Sequence, residues 1–355
     1  LAIVRLRDRD SIITEEGLIF RVFGYSHPSN AYFCDAEYAR SDIFKSRNPK
    51  AFRNRKNKTF YKFYEDEGWR YVQKYFPQHM ISHEMVGKKV VGVTVQNIHK
   101  VRNPNKILQK LKRTESKDTL VRALQHVLRI VIQHSNLSMK DFGVFGSILH
   151  GFHHSKFSDI DLTIYGSKNL DKLLETLKEL YKEEYSFFRN EFDTNYAIQG
   201  KLWKFMNYGP DEYLQHQKRK MIYALFNDKK SGRVIKVEFE PIKSSEEVRS
   251  QYNRKTKVQN KGWTKMYAKI VEDQDSPFIP SIYGIEPLNV LEGQKGASEV
   301  KRVISYIEEF RMQSCLNEIV YVEGNLEKVV NPKGDFHQIA LTYCPRYYEQ
   351  VLKSV

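Results

Sequence analysis

The sequence predicts an α+β fold in three modules, and three observations carry that reading. Short runs that are apolar or alternate apolar with polar, the mark of strands, fill the beginning of the chain. A middle portion carries apolar residues at three- and four-residue spacing, the mark of helices packed by one face. From Gly262 onward the pattern is again mostly strands, at regular intervals.

Each element follows in order. In residues 1–105, "IVRLRD" and "LIFRVFGY" read as strands around the turn "TEEG". "AYFCDAEYA" is a third, after the loop "YSHPSNAY", and "VVGVTVQNIHKV" closes an N-terminal α+β module. Residues 116–245 form the core. Leu120, Leu124, Val127, Leu128 and Val131 predict a helix over 116–135 with Ser116 as N-cap. A strand–turn–strand follows in "FGVFGSILHGFHHSKFSDIDLTIYG", then a helix capped by Ser167 with Leu170, Leu173, Leu174, Leu177 and Tyr181 inward. A helix near 211–220 precedes two strands, "MIYALFND" and "GRVIKVEFEPI", joined by "NDKKSG". In residues 255–355 the strands predict a β-rich, barrel-like domain, closed or half-closed.

Composition narrows the partners. Twenty-two Tyr and 21 Phe in 355 residues exclude a disordered chain. Lys and Arg number 58 against 43 Asp and Glu, a formal charge of +15 that favours an anionic partner, above all nucleic acid. No apolar run approaches the roughly 20 residues that span a bilayer. No signal peptide is read in the residues given, which open at Leu1. Cys34, Cys315 and Cys344 are too few and too scattered for a disulfide framework or a zinc site, so a reducing, cytoplasmic setting is expected.

The chemistry concentrates in one stretch. On a strand, residues two apart share a face, so Asp159 and Asp161 project together while Ile160 and Leu162 turn to the core. Two such carboxylates repel and raise each other's pKa unless a cation sits between them. Mg²⁺ suits the position, because it takes carboxylate oxygens together with substrate phosphates. Gly146 and Ser147, twelve or more residues upstream, supply a turn whose N–H groups approach a phosphate chain closely.

These residues resemble a known signature. Phe145-Gly146-Ser147 followed by Ser158-Asp159-Ile160-Asp161-Leu162 is similar to the hG[GS]…DhD pattern of the DNA polymerase β-like nucleotidyltransferase superfamily. The core resemblance spans about residues 116–245. "RLRDRDSIITEEGLIFRVFGYSHP" and "AKIVEDQDSPFIPSIYGI" resemble the flanks of an archaeal group of predicted nucleotidyltransferases. The resemblance implies a nucleotidyltransferase core with a mixed sheet and flanking helices. It implies Mg²⁺ or Mn²⁺ as cofactor and an NTP as substrate. Asp159 and Asp161 become metal ligands, and Gly146, Ser147 and Ser158 become nucleotide contacts. A third carboxylate is expected on a later strand, where Glu238 is the first choice and Glu240 stays open. Glutamate replaces the family's usual aspartate there. The reaction implied is transfer of a nucleoside monophosphate to an acceptor hydroxyl with release of pyrophosphate. RNA, a tRNA-like one included, is the favoured acceptor; a protein or small-molecule hydroxyl is the alternative, as is a non-catalytic RNA-binding protein keeping the fold.

Two basic segments point to RNA. Residues 44–63 hold eight Lys or Arg and no acid, interleaved with aromatics. Lys50, Arg53, Arg55, Lys56 and Lys58 are the candidate phosphate contacts there, against the plainer reading of a solvated loop. Arg254, Lys255 and Lys257 are the second set. His150, His153 and His154 read as a polar loop beside the triphosphate, not as zinc ligands. Lys218, Arg219 and Lys220 read either as an exposed helix end or as further phosphate contacts.

Overall fold

A computed structural model of the chain describes residues 5–55, 57–112, 116–184, 186–199, 202–248, 253–342 and 346–355. It divides into two compact units. One gathers Leu1–His83, Lys88–Arg189 and Ala224–Tyr252, and the other Glu84–Gly87, Asn190–Tyr223 and Asn253–Val355. The stretches expected as N-terminal module and core thus share a unit, while the residues around the 211–220 helix join the C-terminal strands.

The first unit holds two sheets. The larger runs Phe52–Arg55, Lys58–Lys62, Ala31–Arg40, Leu18–Val22, Ser11–Ile13, Lys100–Arg102 in neighbour order, and Met80–His83 and Lys88–Thr94 join through Ala31–Arg40. Its inward residues, among them Ile12, Phe20, Val22, Cys34 and Ala36, pack with Val72 of the helix Glu67–Tyr75. Gly68 lets that helix lie flat on the sheet, because a Cβ there would press on the Ala36 carbonyl. One expectation fails. Residues 5–10, which take in most of "IVRLRD", do not form a strand. Their own acids take backbone N–H groups instead: Asp10 accepts from Arg7 N at 2.9 Å and Asp8 from Gly24 N at 2.9 Å.

The smaller sheet has the order Phe188–Asn190, Tyr223–Asp228, Arg233–Ile242, Ile160–Tyr165, Phe142–Val144. Arg233–Ile242 and Ile160–Tyr165 are parallel, and Phe142–Val144 runs antiparallel to Ile160–Tyr165. The helix Thr119–His134 buries the expected stripe of Leu120, Leu124, Val127, Leu128 and Val131. Its cap is Asp118, not Ser116: the carboxylate accepts from Leu120 N and Val121 N at 2.9 and 3.1 Å. In the helix Ser167–Leu180, Ser167 is the first helical residue and Gly166 the cap position.

The second unit is a six-stranded sheet with a ring-like pairing path. Lys257–Glu272 pairs Ser281–Glu292, which pairs Val300–Ser305, then Phe336–Leu341, then Ile319–Val330, and Ile319–Val330 returns to Lys257–Glu272. Among the described residues of this unit, only Val300–Ser305 with Phe336–Leu341 is parallel. Val351–Ser354 adds a strand to Ile319–Val330. Met266, Ile270, Tyr283, Val303, Val322, Leu326 and Ile339 fill the interior. The expected barrel-like domain is therefore present as a ring of paired strands. No helix among the described residues is long and apolar enough to cross a membrane.

Candidate active site

The site is built where two short elements meet one strand. The strand Phe142–Val144 ends at Phe145, whose N–H still bonds the Asp161 carbonyl at 3.0 Å, so the turn is held on the sheet. Gly146 then takes φ 61° and opens the helix Gly146–His150. That positive φ favours glycine. The close approach demands it, since a Cβ at Gly146 would overlap the Asp161 carboxylate. The signature glycine and the signature acid are thus in van der Waals contact. Ser147 is buried behind the turn.

Asp159 precedes the strand Ile160–Tyr165 and is exposed, while Asp161 within it is half-buried. Ile160 and Leu162 are wholly buried, as the alternation requires. Burial, then the charge of Asp159, push the Asp161 carboxyl up to about 7. Glu37 and Glu240 act in the same direction, and Lys62 opposes them. Asp161 stands opposite Glu238 in the parallel register, and Glu240 opposite Thr163.

The two glutamates differ in what surrounds them. Glu240 is 2% exposed and forms a 2.7 Å ion pair with the fully buried Arg9. Glu238 is half-buried and faces the same way as Asp161. Among the described residues no group of three or more His, Cys, Asp and Glu side chains is arranged to hold a metal ion unaided. Asp159 and Asp161 offer two hard oxygen donors, one exposed and one half-buried, of the kind that a phosphate-borne divalent cation would take.

Sequence reasoning missed the contribution of residues 7–62. Arg9 carries a left-handed φ of 68°, an uncommon conformation for a non-glycine residue. Besides pairing Glu240, its guanidinium sits 5.6 Å from the Phe145 ring, directly before the turn. Lys62 and Glu37 come from paired neighbouring strands, Lys58–Lys62 and Ala31–Arg40, and both act on the charge of Asp161. The sequence signal available was the acid–base alternation of "RLRDRD", whose charges a strand would have exposed.

Other candidates divide. Ser158 braces the loop before Asp159, its Oγ accepting from His154 N at 2.9 Å. His150 is buried and stacks on Phe152, so it belongs to packing and not to a polar loop. His153 pairs with Asp118 at 3.2 Å. Lys50, Arg53 and Lys58 flank or lie in a hairpin, Phe52–Arg55 with Lys58–Lys62, whose Phe60 contacts Phe152 at 5.4 Å. Phe52–Arg55 and Lys58–Lys62 are therefore paired strands, and Phe44 and Phe63 point into the core of the larger sheet, as the plainer reading expected of the aromatics. Arg55 is in the hairpin's first strand, and Lys56 lies outside the described residues. Arg254, Lys255 and Lys257 are exposed at the start of the second unit's first strand. Lys218 and Arg219 lie at an exposed helix end and pair with Asp193 and Glu318, whereas buried Lys220 donates to the Glu309 carbonyl.

Strand, glycine turn and acid pair define a class. Residues 124–258 match the model of the nucleotidyltransferase domain, and the chain carries a nucleotidyltransferase domain of the DNA polymerase β-like superfamily. That class implies a nucleotide substrate. Over 338 residues, 94% of each chain, the protein is 22% identical to an uncharacterized protein of Methanocaldococcus jannaschii. No solved structure matches it.

Proposed function

We propose that the protein is a metal-dependent nucleotidyltransferase that moves a nucleoside monophosphate from an NTP to a hydroxyl on RNA. One observation carries the reading: Asp161 meets the Gly146 turn, Asp159 directly precedes the same strand, and Glu238 stands opposite Asp161 in the parallel register. Asp159 and Asp161 would hold a divalent cation, which when bound would supply charge neutralisation for the phosphate oxygens. Glu238 is the third carboxylate of the set, since Glu240 is committed to Arg9. The backbone N–H groups at Gly146 and Ser147 receive the phosphate chain. The acceptor oxygen bonds to the α-phosphorus, the bridging P–O bond to the β-phosphate breaks, and pyrophosphate leaves as the hydroxyl proton passes to solvent. Positioning and charge compensation suffice; no protein nucleophile is needed.

RNA as acceptor is supported by charge and fold. Lys50, Arg53, Arg55 and Lys58 lie on or beside the hairpin whose Phe60 packs by the catalytic loop, in a chain of net charge +15. Arg254, Lys255 and Lys257 add a second basic cluster. In chain order, the ring of the second unit runs first, second, third, fifth, fourth, first, with the third and fifth strands parallel. That is the order of OB-fold barrels, many of which bind oligonucleotides, although fold alone sets only a prior.

The test is incorporation of each α-labelled NTP into total RNA and into the protein itself, with Mg²⁺ or Mn²⁺, beside an Asp159→Ala/Asp161→Ala control. Label in RNA that the control loses supports the proposal and names the nucleotide. Label in protein moves the acceptor to a protein hydroxyl. No label with any pool, alongside tight salt-sensitive RNA binding, overturns the enzyme reading.

A further inference from the structure

The loop leading into Asp159 presents an aromatic surface that the reaction above does not use. Phe157 is 76% exposed, two residues before Asp159. Its ring stacks on His154, with centroids 4.5 Å apart and planes 28° from parallel. Single exposed apolar side chains are ordinary; what distinguishes Phe157 is its place two residues before Asp159 with its ring already stacked on His154.

The loop is braced so that the ring stays outside. Phe157 N and Ser158 N both bond the His154 carbonyl, at 3.1 and 2.9 Å. His154 N donates to Ser158 Oγ at 2.9 Å, and Lys156 N donates to His154 Nδ1 at 3.1 Å, which fixes the imidazole's orientation. Arg233 reaches across to the carbonyls of Ser155 and Ser158. The bonds span every residue from His154 to Ser158 and leave one flat apolar face turned to solvent beside the exposed carboxylate. Such a face is pre-organised, and a second planar ring is what it accepts at least entropic cost.

We infer that His154 and Phe157 form a stacking platform for a nucleobase. The inference rests on the nucleotidyltransferase reading for the kind of ring that arrives. Two sources share that chemistry, the base of the incoming NTP and the terminal base of an RNA strand, and both must approach Asp159 in the proposed reaction. Stacking tolerates any base, so the platform supplies affinity and orientation without reading sequence.

The experiment uses the full chain with Phe157→Ala, Phe157→Leu and Phe157→Trp. Binding of each NTP with Mg²⁺, and separately of a single-stranded oligoribonucleotide, is measured directly. Tryptophan fluorescence serves as a second signal in the Phe157→Trp variant. The expected result is about tenfold weaker binding of one ligand in the Ala and Leu variants, with affinity kept and fluorescence quenched in the Trp variant. Loss confined to NTP assigns the nucleotide's base, and loss confined to the oligonucleotide assigns the acceptor's. Binding of both ligands within twofold of the parent in all three variants overturns the platform. Transfer by the Asp159→Ala variant is followed in parallel. If it falls while Phe157 proves inert, the platform fails and the enzyme stands. If bases stack on Phe157 but no condition yields transfer, the platform stands and the enzyme reading fails.

Discussion

Two carboxylate clusters, one in each unit, make opposite use of the same chemistry. In the second unit, Glu323 is 1% exposed and its oxygens are met by donors. Trp263 Nε1 donates at 2.8 Å, Asn207 Nδ2 at 2.8 Å and Tyr321 OH at 2.9 Å, with Lys265 Nζ at 3.5 Å. In the first unit, Asp161 faces Asp159, Glu37 and Glu240, and its pKa rises to about 7 under burial and those charges. A buried acid completed by the protein is structural; an acid raised by burial and then by neighbouring acids, beside a glycine turn, is what the proposed cation site would require. The difference separates a strut from the candidate site without appeal to depth, since the strut is the deeper of the two.

The largest effect that sharpens this contrast is on turnover. Asp159→Ala or Asp161→Ala is expected to cut transfer by about 10²–10³-fold or more, while far-UV circular dichroism and RNA affinity stay near the parent's. Wild-type rates in both variants would remove the acid pair from the reaction. Glu323→Ala should do the reverse: a loss of about 3 kcal/mol in urea unfolding, because buried donors lose their acceptor. An unchanged midpoint would show that Glu323 is not the strut it is taken to be.

Asp10 tests the middle ground, a buried acid that is only partly compensated. It accepts from Arg7 N at 2.9 Å and Asn103 Nδ2 at 2.8 Å, yet burial pushes it up to about 6 from 3.8. A folded-state pKa above the unfolded one means the folded state binds the proton more tightly. The stability this group contributes is complete below 3.8 and is lost as pH rises through about 6. A rise of that size is worth at most about 3 kcal/mol. The difference in stability between wild type and Asp10→Asn should therefore change between pH 4 and 7 and be flat above it. A difference that is constant across that window breaks the assignment.

The smallest effect expected is thermal. At ten times its Kd, Mg²⁺ should stabilise the wild type by about 1.4 kcal/mol through linkage, and leave the Asp159→Ala/Asp161→Ala variant unmoved. Equal shifts in both proteins in a melting scan would place the cation elsewhere.

Much of the reaction core could be read from residue order. Local rules suffice for Asp159 and Asp161 sharing a face, for the helices over 119–134 and 167–180, and for a glycine at the turn. Each depends on spacing or on backbone freedom within a few residues. Residues 5–10 show the limit: by pattern they are a strand, but Asp8 and Asp10 bond nearby N–H groups and divert the chain. The choice between Glu238 and Glu240 lay equally beyond pattern, because both share one face of the same strand. Arg9, 231 residues away in sequence, pairs with Glu240, while Glu238 stands opposite Asp161 in the parallel register.

The sequence by itself determined the acid pair, the turn, the β-rich end and the positive charge, since these follow from periodicity and composition. Only the tertiary structure decided which acids are already compensated, and that Lys62, Glu37 and Arg9 surround the site. It also decided that Phe157 faces water and that the last strands close into a ring. Coulomb interaction and desolvation depend on distance and burial in space, and neither is encoded by separation along the chain.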